Sequence, residues 1–206
     1  ALPISNINDM STNLSPSHKI LTLNTLAFTI SFACWTLNGV LVTYLVDNNI
    51  FNWSVIETGW LLGIPILTGS IMRLPMGILT DKFGGKPVFS ALLILCSIPL
   101  FSLYFVNSYW SYFIFSALFG MIGTSFAVGI AFTSVWYPKE WQGRALGIFG
   151  MGNAGAALTT FIAPTLLNYL SESNPENGWR LLPIIYGAVL LIFGFIFLFF
   201  IKNKKA

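Results

Sequence analysis

Long apolar stretches separated by short polar connectors make up almost the whole chain. Six of these stretches are long enough to cross a bilayer as a helix, which takes about 17–25 apolar residues. They cover residues 20–46, 57–80, 87–106, 110–137, 144–170 and 180–201. They lack the apolar–polar alternation of membrane barrel strands, and the backbone must satisfy its own hydrogen bonds in lipid. The pattern therefore predicts an all-α membrane protein with six transmembrane helices.

The composition favours lipid over water as the solvent of this chain. Charged residues make up 8% of the 206 residues and hydrophobic residues 55%, with a mean hydropathy of +0.76. A soluble domain contains about 25% charged residues. We expect a flexible cytoplasmic tail at 1–18, a six-helix transmembrane bundle at 19–201 and a basic cytoplasmic end at 202–206.

The distribution of the ten Lys and Arg residues predicts the orientation of the helices. With six spans, both termini lie on one side of the membrane, and eight of the ten basic residues fall on that side. Arg180 lies on the other side and Arg73 within a span. Because cytoplasmic loops carry the excess of Lys and Arg, both termini are predicted to lie on the cytoplasmic side of the cytoplasmic (inner) membrane. The basic residues form no patch, so nucleic acid is not expected as a partner.

Arg73 is the one charged residue that the pattern places inside a helix. Its Cα lies about 12 Å from the predicted cytoplasmic end of the second span, and its side chain leans towards the bilayer centre. That direction disfavours the alternative in which the side chain snorkels to the inner interface. An exposed charge there would cost on the order of 3 kcal/mol, so we expect Arg73 to face the protein interior or a water-filled cavity. With no intramembrane carboxylate to pair with, its planar guanidinium predicts a bound oxyanion.

Small residues recur along the fifth predicted span at intervals of three and four. Such a stripe predicts the close approach of another helix. Its glycines, with two that lie beside it, are Gly143, Gly147, Gly150, Gly152 and Gly155. Asn153 lies in the same segment. Its amide either forms a structural hydrogen bond between helices or donates to the anion bound by Arg73, and the sequence leaves both interpretations open.

The segment GILTDKFGGK, residues 77–86, connects the second and third predicted spans. Its glycines allow a sharp turn, and Asp81 can cap or pair with a helix end. Six spans with this loop after the second resemble the N-terminal half of the major facilitator superfamily. The stretches RLPMGILTDKFGG and GMGNAG resemble the nitrate/nitrite porter family within that superfamily.

The resemblance implies roles for individual residues. Arg73 corresponds to a helix-2 arginine that binds the anion opposite a second arginine from the C-terminal half. Asn153 corresponds to the asparagine of the nitrate signature, and Phe126 to an aromatic residue that packs against the planar anion. Asp81 corresponds to a gating acid, with Arg144 as its candidate partner. The conformational residues implied in this way are Gly77, Asp81, Lys82, Gly84, Gly85, Lys86 and Arg144.

The resemblance implies secondary active transport of nitrate or nitrite by alternating access. No enzyme activity, cofactor or metal is expected. The sequence contains no paired carboxylates, metal-ligand cluster or Ser/His/Asp set. Carriers of this superfamily have a second six-helix half, so we expect a half-length or truncated carrier, or assembly with a C-terminal half or a second subunit. Two alternatives stay open: transport of another small anion, and a non-transporting membrane fragment, sensor or assembly subunit.

Overall fold

The structure, a computed structural model, describes residues 4–204 and, except for Ser173, the side chains from residue 17 onwards. In this part of the chain the α-helices are α1 (Ile4–Asp47), α2 (Val55–Phe83), α3 (Gly85–Ser102), α4 (Tyr109–Gly120), α5 (Ser125–Ser134), α6 (Lys139–Gly150), α7 (Ala154–Ser173) and α8 (Leu181–Phe200). Short 3₁₀ turns cover Leu103–Phe105, Met121–Thr124, Met151–Asn153 and Gly178–Arg180. No strand occurs within residues 4–204, which confirms the all-α class.

These elements combine into six helices that are long and apolar enough to cross a membrane, as predicted. Spans 1 to 6 are Ser17–Asp47, Val55–Phe83, Gly85–Phe105, Tyr109–Ser134, Lys139–Glu172 and Gly178–Phe200. Helix α1 begins at Ile4 and overlaps the segment 1–18, for which we expected a flexible tail; residues 1–3 lie outside the described part. The expected basic end at 202–206 follows the last helix, with 205–206 outside the described residues.

A buried asparagine joins spans 1, 2 and 4. Pro65 in span 2 has no N–H to donate to the carbonyl of Leu61, one turn earlier. The Nδ2 atom of Asn38 in span 1 donates to that carbonyl at 2.8 Å. Its Oδ1 atom accepts from the hydroxyl of Ser116 in span 4 at 3.1 Å. Because Asn38 is 3% exposed, the junction satisfies the freed carbonyl where neither water nor lipid reaches it.

Glycines bring spans 1, 2 and 4 together at one level. A Cβ on Gly69 of span 2 would lie 2.9 Å from the carbonyl oxygen of Gly120 and 3.5 Å from the Cα of Gly123, both in span 4. A Cβ on Gly123 would lie 3.1 Å from Nε1 of Trp35 in span 1. Larger residues at Gly69 or Gly123 would therefore push the helices apart.

Spans 1 and 5 also approach each other through glycine. A Cβ on Gly155 would overlap the carbonyl oxygen of Thr29, and one on Gly152 would lie 3.1 Å from the carbonyl oxygen of Thr25. Gly152 and Gly155 lie beside the predicted stripe, and the glycines of the stripe itself make no such contact. In the described part of the chain no neighbouring side chain or helix lies within 4 Å of a Cβ built on these residues, Gly143, Gly147 and Gly150. The close packing expected of the stripe is therefore found at the two glycines beside it and not at its own glycines.

Replacing Asn38 with leucine is expected to destabilise the bundle by about 1–2 kcal/mol, because the Leu61 carbonyl loses its donor. In a Pro65→Ala background the loss should be smaller, since alanine restores a helical N–H for that carbonyl. Thermal unfolding of the purified protein in detergent, followed by circular dichroism, measures both values.

Asn48→Leu is the matched control for this experiment. Asn48 is exposed, and its amide bonds the carbonyl of Tyr44 at the end of its own helix. Equal losses for Asn38→Leu in both backgrounds would rule out the Leu61 carbonyl freed by Pro65 as the reason for the bond.

Gly155→Ala is expected to destabilise the bundle by about 1–3 kcal/mol, because its Cβ overlaps the backbone of span 1. Gly147→Ala is the matched control, since a Cβ there meets open space in the same span. Its stability should stay at or slightly above that of the wild type. The same thermal unfolding assay compares the two, and similar melting temperatures would contradict the close contact at Gly155.

Candidate anion-binding site

Arg73 lies well inside span 2, and its side chain is exposed on the six-helix bundle. The described helices therefore do not enclose it, and the other expectation, that it faces a water-filled cavity, stays a prediction. Arg73 continues an open side of α2, on which Ile66, about two turns earlier, is 54% exposed. Within the described side chains its guanidinium takes part in no hydrogen bond or ion pair. All of its donors are therefore open to a ligand.

A cleft between spans 1 and 2 leads to this side of α2. Its volume is about 300 Å³. Its walls come from Trp35, Thr36, Asn38, Gly39, Leu62, Pro65 and Ile66. The indole Nε1 of Trp35 donates to the carbonyl of Pro65 at 3.4 Å and closes the inner wall. Ile66 and Arg73 lie on the same side of α2, about two turns apart, so the guanidinium is on the side of α2 that borders the cleft but outside the cleft walls.

The contact between spans 2 and 4 places Phe126 at the depth of Arg73. Consecutive spans alternate in direction, so spans 2 and 4 run the same way, and they meet where Gly69 contacts Gly123. Arg73 follows Gly69 by about one turn, and Phe126 follows Gly123 by about one turn as well. Phe126 is half-buried, with its ring partly accessible.

Phe28 of span 1 connects this depth with span 5. Its ring centroid is 5.5 Å from that of Phe126, and Gly152 of span 5 lies directly against the same ring. Asn153 follows Gly152, and its side chain is exposed. Three predicted site residues, Arg73, Phe126 and Asn153, thus lie at one depth on three different spans, without direct contact among their described side chains.

Two of these spans change from α-helical to 3₁₀ winding at this depth. In span 4 the turn Met121–Thr124 ends just before Phe126, and in span 5 the turn Met151–Asn153 ends on Asn153. Short 3₁₀ segments inside long helices often mark functional hinges. Sequence reasoning missed both turns. The signal that could have found them is the pair of glycines around each, Gly120 with Gly123 and Gly150 with Gly152.

The GILTDKFGGK segment forms a sharp turn with Gly84 as the single residue between α2 and α3. Gly84 has a φ of +88°, which favours glycine, and its N–H bonds the carbonyl of Thr80. A Cβ on Gly85 would overlap the ring of Phe132 in span 4. The geometry explains why two glycines follow each other here. Gly77, one of the implied conformational residues, meets no neighbouring side chain or helix in the described part of the chain.

The charged residues beside this turn lie at the surface. Asp81 and Lys82 are both exposed. Arg144, the expected partner of Asp81, instead lies over the ring of Trp141 in its own helix, 5.1 Å from the ring centroid. No ion pair joins Asp81 to Arg144 in the described part of the chain.

Asn203, which follows the last helix, closes over the same turn. Its Nδ2 atom donates to the carbonyl of Phe83 at 2.9 Å, and its Oδ1 atom accepts from the backbone N–H of Lys86 at 3.3 Å. The side chain of Asn203 also occupies the space that a Cβ on Gly84 would need. No motif indicates this contact in the sequence, because the two segments are far apart along the chain.

Arg180 shows how an arginine with a structural role differs from Arg73. Its guanidinium donates to the carbonyl oxygens of Tyr104 and Val106 at 2.6 Å each and to Oδ1 of Asn107 at 3.0 Å. These acceptors lie at the end of span 3, where helical carbonyls lack donors. Arg180 thus uses its donors to close a helix end, whereas those of Arg73 are unused among the described residues.

Comparison with known proteins adds the family. The family model described as Major Facilitator Superfamily matches residues 23–206. The probable nitrate/nitrite antiporter NarK1 of Thermus thermophilus is 41% identical over 192 residues, which cover 90% of this chain and 43% of that protein. The probable nitrate transporter NarT of Staphylococcus aureus (strain JH9) is 29% identical over 174 residues, which cover 84% of this chain and 44% of that protein.

The chain thus spans less than half the length of these relatives, both of which are named as transporters and not as enzymes. Six apolar helices and the family match indicate a multi-pass membrane protein, and the extent of that match shows that this chain belongs to the Major Facilitator Superfamily.

Proposed function

We propose that this chain forms the N-terminal six-helix half of a carrier for nitrate or nitrite. The observation that carries the proposal is Arg73, an exposed guanidinium within a span, at the depth of two 3₁₀ turns and without a partner among the described side chains. Two relatives with names that include nitrate transport support this class of substrate. Both anions are planar, and a guanidinium can bind two of their oxygens at once.

In this proposal each of the three residues acts on a different part of the anion. Arg73 supplies the charge and two parallel N–H donors. Asn153 donates from its amide and orients the anion, and the accessible part of the Phe126 ring packs on its flat face. The backbone of spans 1, 2, 4 and 5 sets the positions of these groups, because glycine contacts hold those spans at short distance.

We further propose that a second six-helix half covers the open side of Arg73 and completes the site. That half is either a continuation of the same polypeptide or a separate subunit. The relatives, of which this chain covers 43% and 44%, are long enough to contain both halves. Rocking of the halves around the site would expose the anion alternately to each side of the membrane. The 3₁₀ turns of spans 4 and 5 and the turn at Gly84 are the segments where we expect the helices to adjust.

Arg73→Lys in the carrier that contains this sequence is expected to reduce nitrate uptake about tenfold or more. Lysine keeps the positive charge but loses the planar fork, and with it one charge-assisted hydrogen bond. Initial rates of labelled nitrate uptake into vesicles measure the effect. Leu74→Met, at the exposed neighbouring position, is the control and should retain uptake. Near-normal uptake by Arg73→Lys would overturn the site.

The same assay separates nitrate and nitrite from other anions. Unlabelled nitrate and nitrite should compete with labelled nitrate, whereas formate and phosphate should compete weakly. Stronger competition by formate or phosphate would favour a carrier for another small anion. A complete lack of uptake by the wild-type carrier would favour a non-transporting membrane subunit.

Both chain ends are expected on the cytoplasmic side of the cytoplasmic membrane, because eight of the ten Lys and Arg residues lie on that side of the six helices. Alkaline phosphatase, which is active only outside the cytoplasm, should be inactive when fused after residue 204. It should be active when inserted after Asn49, between spans 1 and 2. The reverse pattern of activity would invert the orientation.

A further inference from the structure

An apolar groove lies between spans 2, 3 and 4, and it shares no residue with the cleft between spans 1 and 2. Its volume is about 620 Å³. Every residue of its wall is apolar or carries sulfur, and several are well exposed: Leu95 by 61%, Ile98 by 56% and Leu118 by 49%. In a membrane these side chains contact hydrocarbon and not water.

The length of the groove matches one leaflet of the bilayer. Along span 3 its wall runs from Pro87 to Pro99, which is about 18 Å at 1.5 Å per residue. The hydrocarbon core of a bilayer is about 30 Å thick, so one leaflet accounts for about 15 Å. The groove is therefore as long as the acyl chain of a phospholipid and too short for a second transmembrane helix along its full length.

Positive charge collects at the end of the groove beside the α2–α3 turn. Phe83 lines that end, and Nζ of Lys82 lies 5.4 Å from the centroid of its ring. Lys86 directly precedes Pro87, the last wall residue of span 3 at this end. Asp81 is the one carboxylate adjoining these lysines in the sequence, so the groups next to the groove keep a positive balance.

The C-terminal segment adds to this charge. Asn203 bonds both the carbonyl of Phe83 and the N–H of Lys86, so its neighbour Lys202 also lies close to the end of the groove. Lys204, on the other side of Asn203, is directed elsewhere, with its Nζ 5.3 Å from the ring centroid of Trp136. An apolar groove of one leaflet in length with lysines at its end has the chemistry of an anionic phospholipid.

We propose that this groove binds one acyl chain of an anionic phospholipid, with the phosphate of its headgroup held by Lys82 and Lys86. The acyl chain gains contact with the walls of spans 2, 3 and 4. The headgroup phosphate neutralises the lysines where the surface potential of the membrane already favours an anion. A zwitterionic lipid has the same chains and the same phosphate, but its compensating cation weakens the net attraction to the lysines. The site is independent of anion transport by Arg73.

Native mass spectrometry of the full 206-residue chain in detergent measures the binding. Phosphatidylglycerol and phosphatidylcholine with identical acyl chains are the two probes, and phosphatidylglycerol should bind several-fold more tightly. The double variant Lys82→Gln/Lys86→Gln should weaken phosphatidylglycerol binding by about 25-fold, or about fivefold for each lysine, and weaken phosphatidylcholine binding much less. Lys139→Gln, an exposed lysine outside the groove, is the matched control and should change neither.

Leu95→Trp fills the groove and should weaken binding of both lipids, and Ile98→Trp repeats this if the first variant does not fold. Equal binding of the two lipids by the wild type, or an unchanged affinity in the double variant, would overturn the proposal. Displacement of phosphatidylglycerol by glycerol phosphate, with Leu95→Trp neutral, would show a site for free phosphate instead. A chain dimer that Leu95→Trp dissociates would show that a second copy occupies the groove.

Discussion

A proline inside a membrane helix leaves a carbonyl oxygen without a donor, and lipid provides no replacement. In this chain Pro65 does so at Leu61, and the amide of Asn38 satisfies that carbonyl. The other end of the same amide accepts from Ser116, so one side chain bonds spans 1, 2 and 4 together. These are the spans that carry the cleft, Arg73 and Phe126. The frame of the proposed site therefore depends on hydrogen bonding by a single buried residue.

Span 1 is the element to which the other helices of the site are attached. The hydrophobic effect does not drive helices together in lipid, so close packing and polar contacts have to hold them. The amide of Asn24 donates to the carbonyl of Gly129 at 2.9 Å and to the hydroxyl of Thr133 at 2.8 Å, both in span 4. The hydroxyl of Thr159 in span 5 donates to the carbonyl of Ala33 at 3.0 Å. Close packing and polar contacts both involve span 1. They hold Phe126 of span 4 and Asn153 of span 5 at the same depth.

The helices and the depth of Arg73 could be predicted from the sequence, because span length and residue position along a helix follow from composition and from the rise per residue. The exposure of Arg73 could not be predicted, because apolar side chains that face lipid give the same sequence pattern as those that face another helix. The spacing of glycines likewise does not distinguish Gly155, which touches span 1, from Gly147, which does not. Arg144 was expected beside Asp81, but the aromatic ring of Trp141 lies closer along its own helix. These contacts depend on tertiary packing, which cannot be inferred from a single sequence.

The two arginines within the spans show that a binding group is best positioned by a rigid backbone, with its hydrogen-bond donors left unbonded by neighbouring acceptors. The donors of Arg180 bond the carbonyls at the end of span 3, so an anion could bind it only by displacing them. Arg73 has no such bonds among the described side chains, and an incoming anion would meet its full charge without exchanging one partner for another. The position of Arg73 must then be set by α2 itself, and Gly69, one turn away, holds α2 directly against span 4. In the proposed site the ligand would compensate the charge that lipid would penalise, and the helices would supply the geometry.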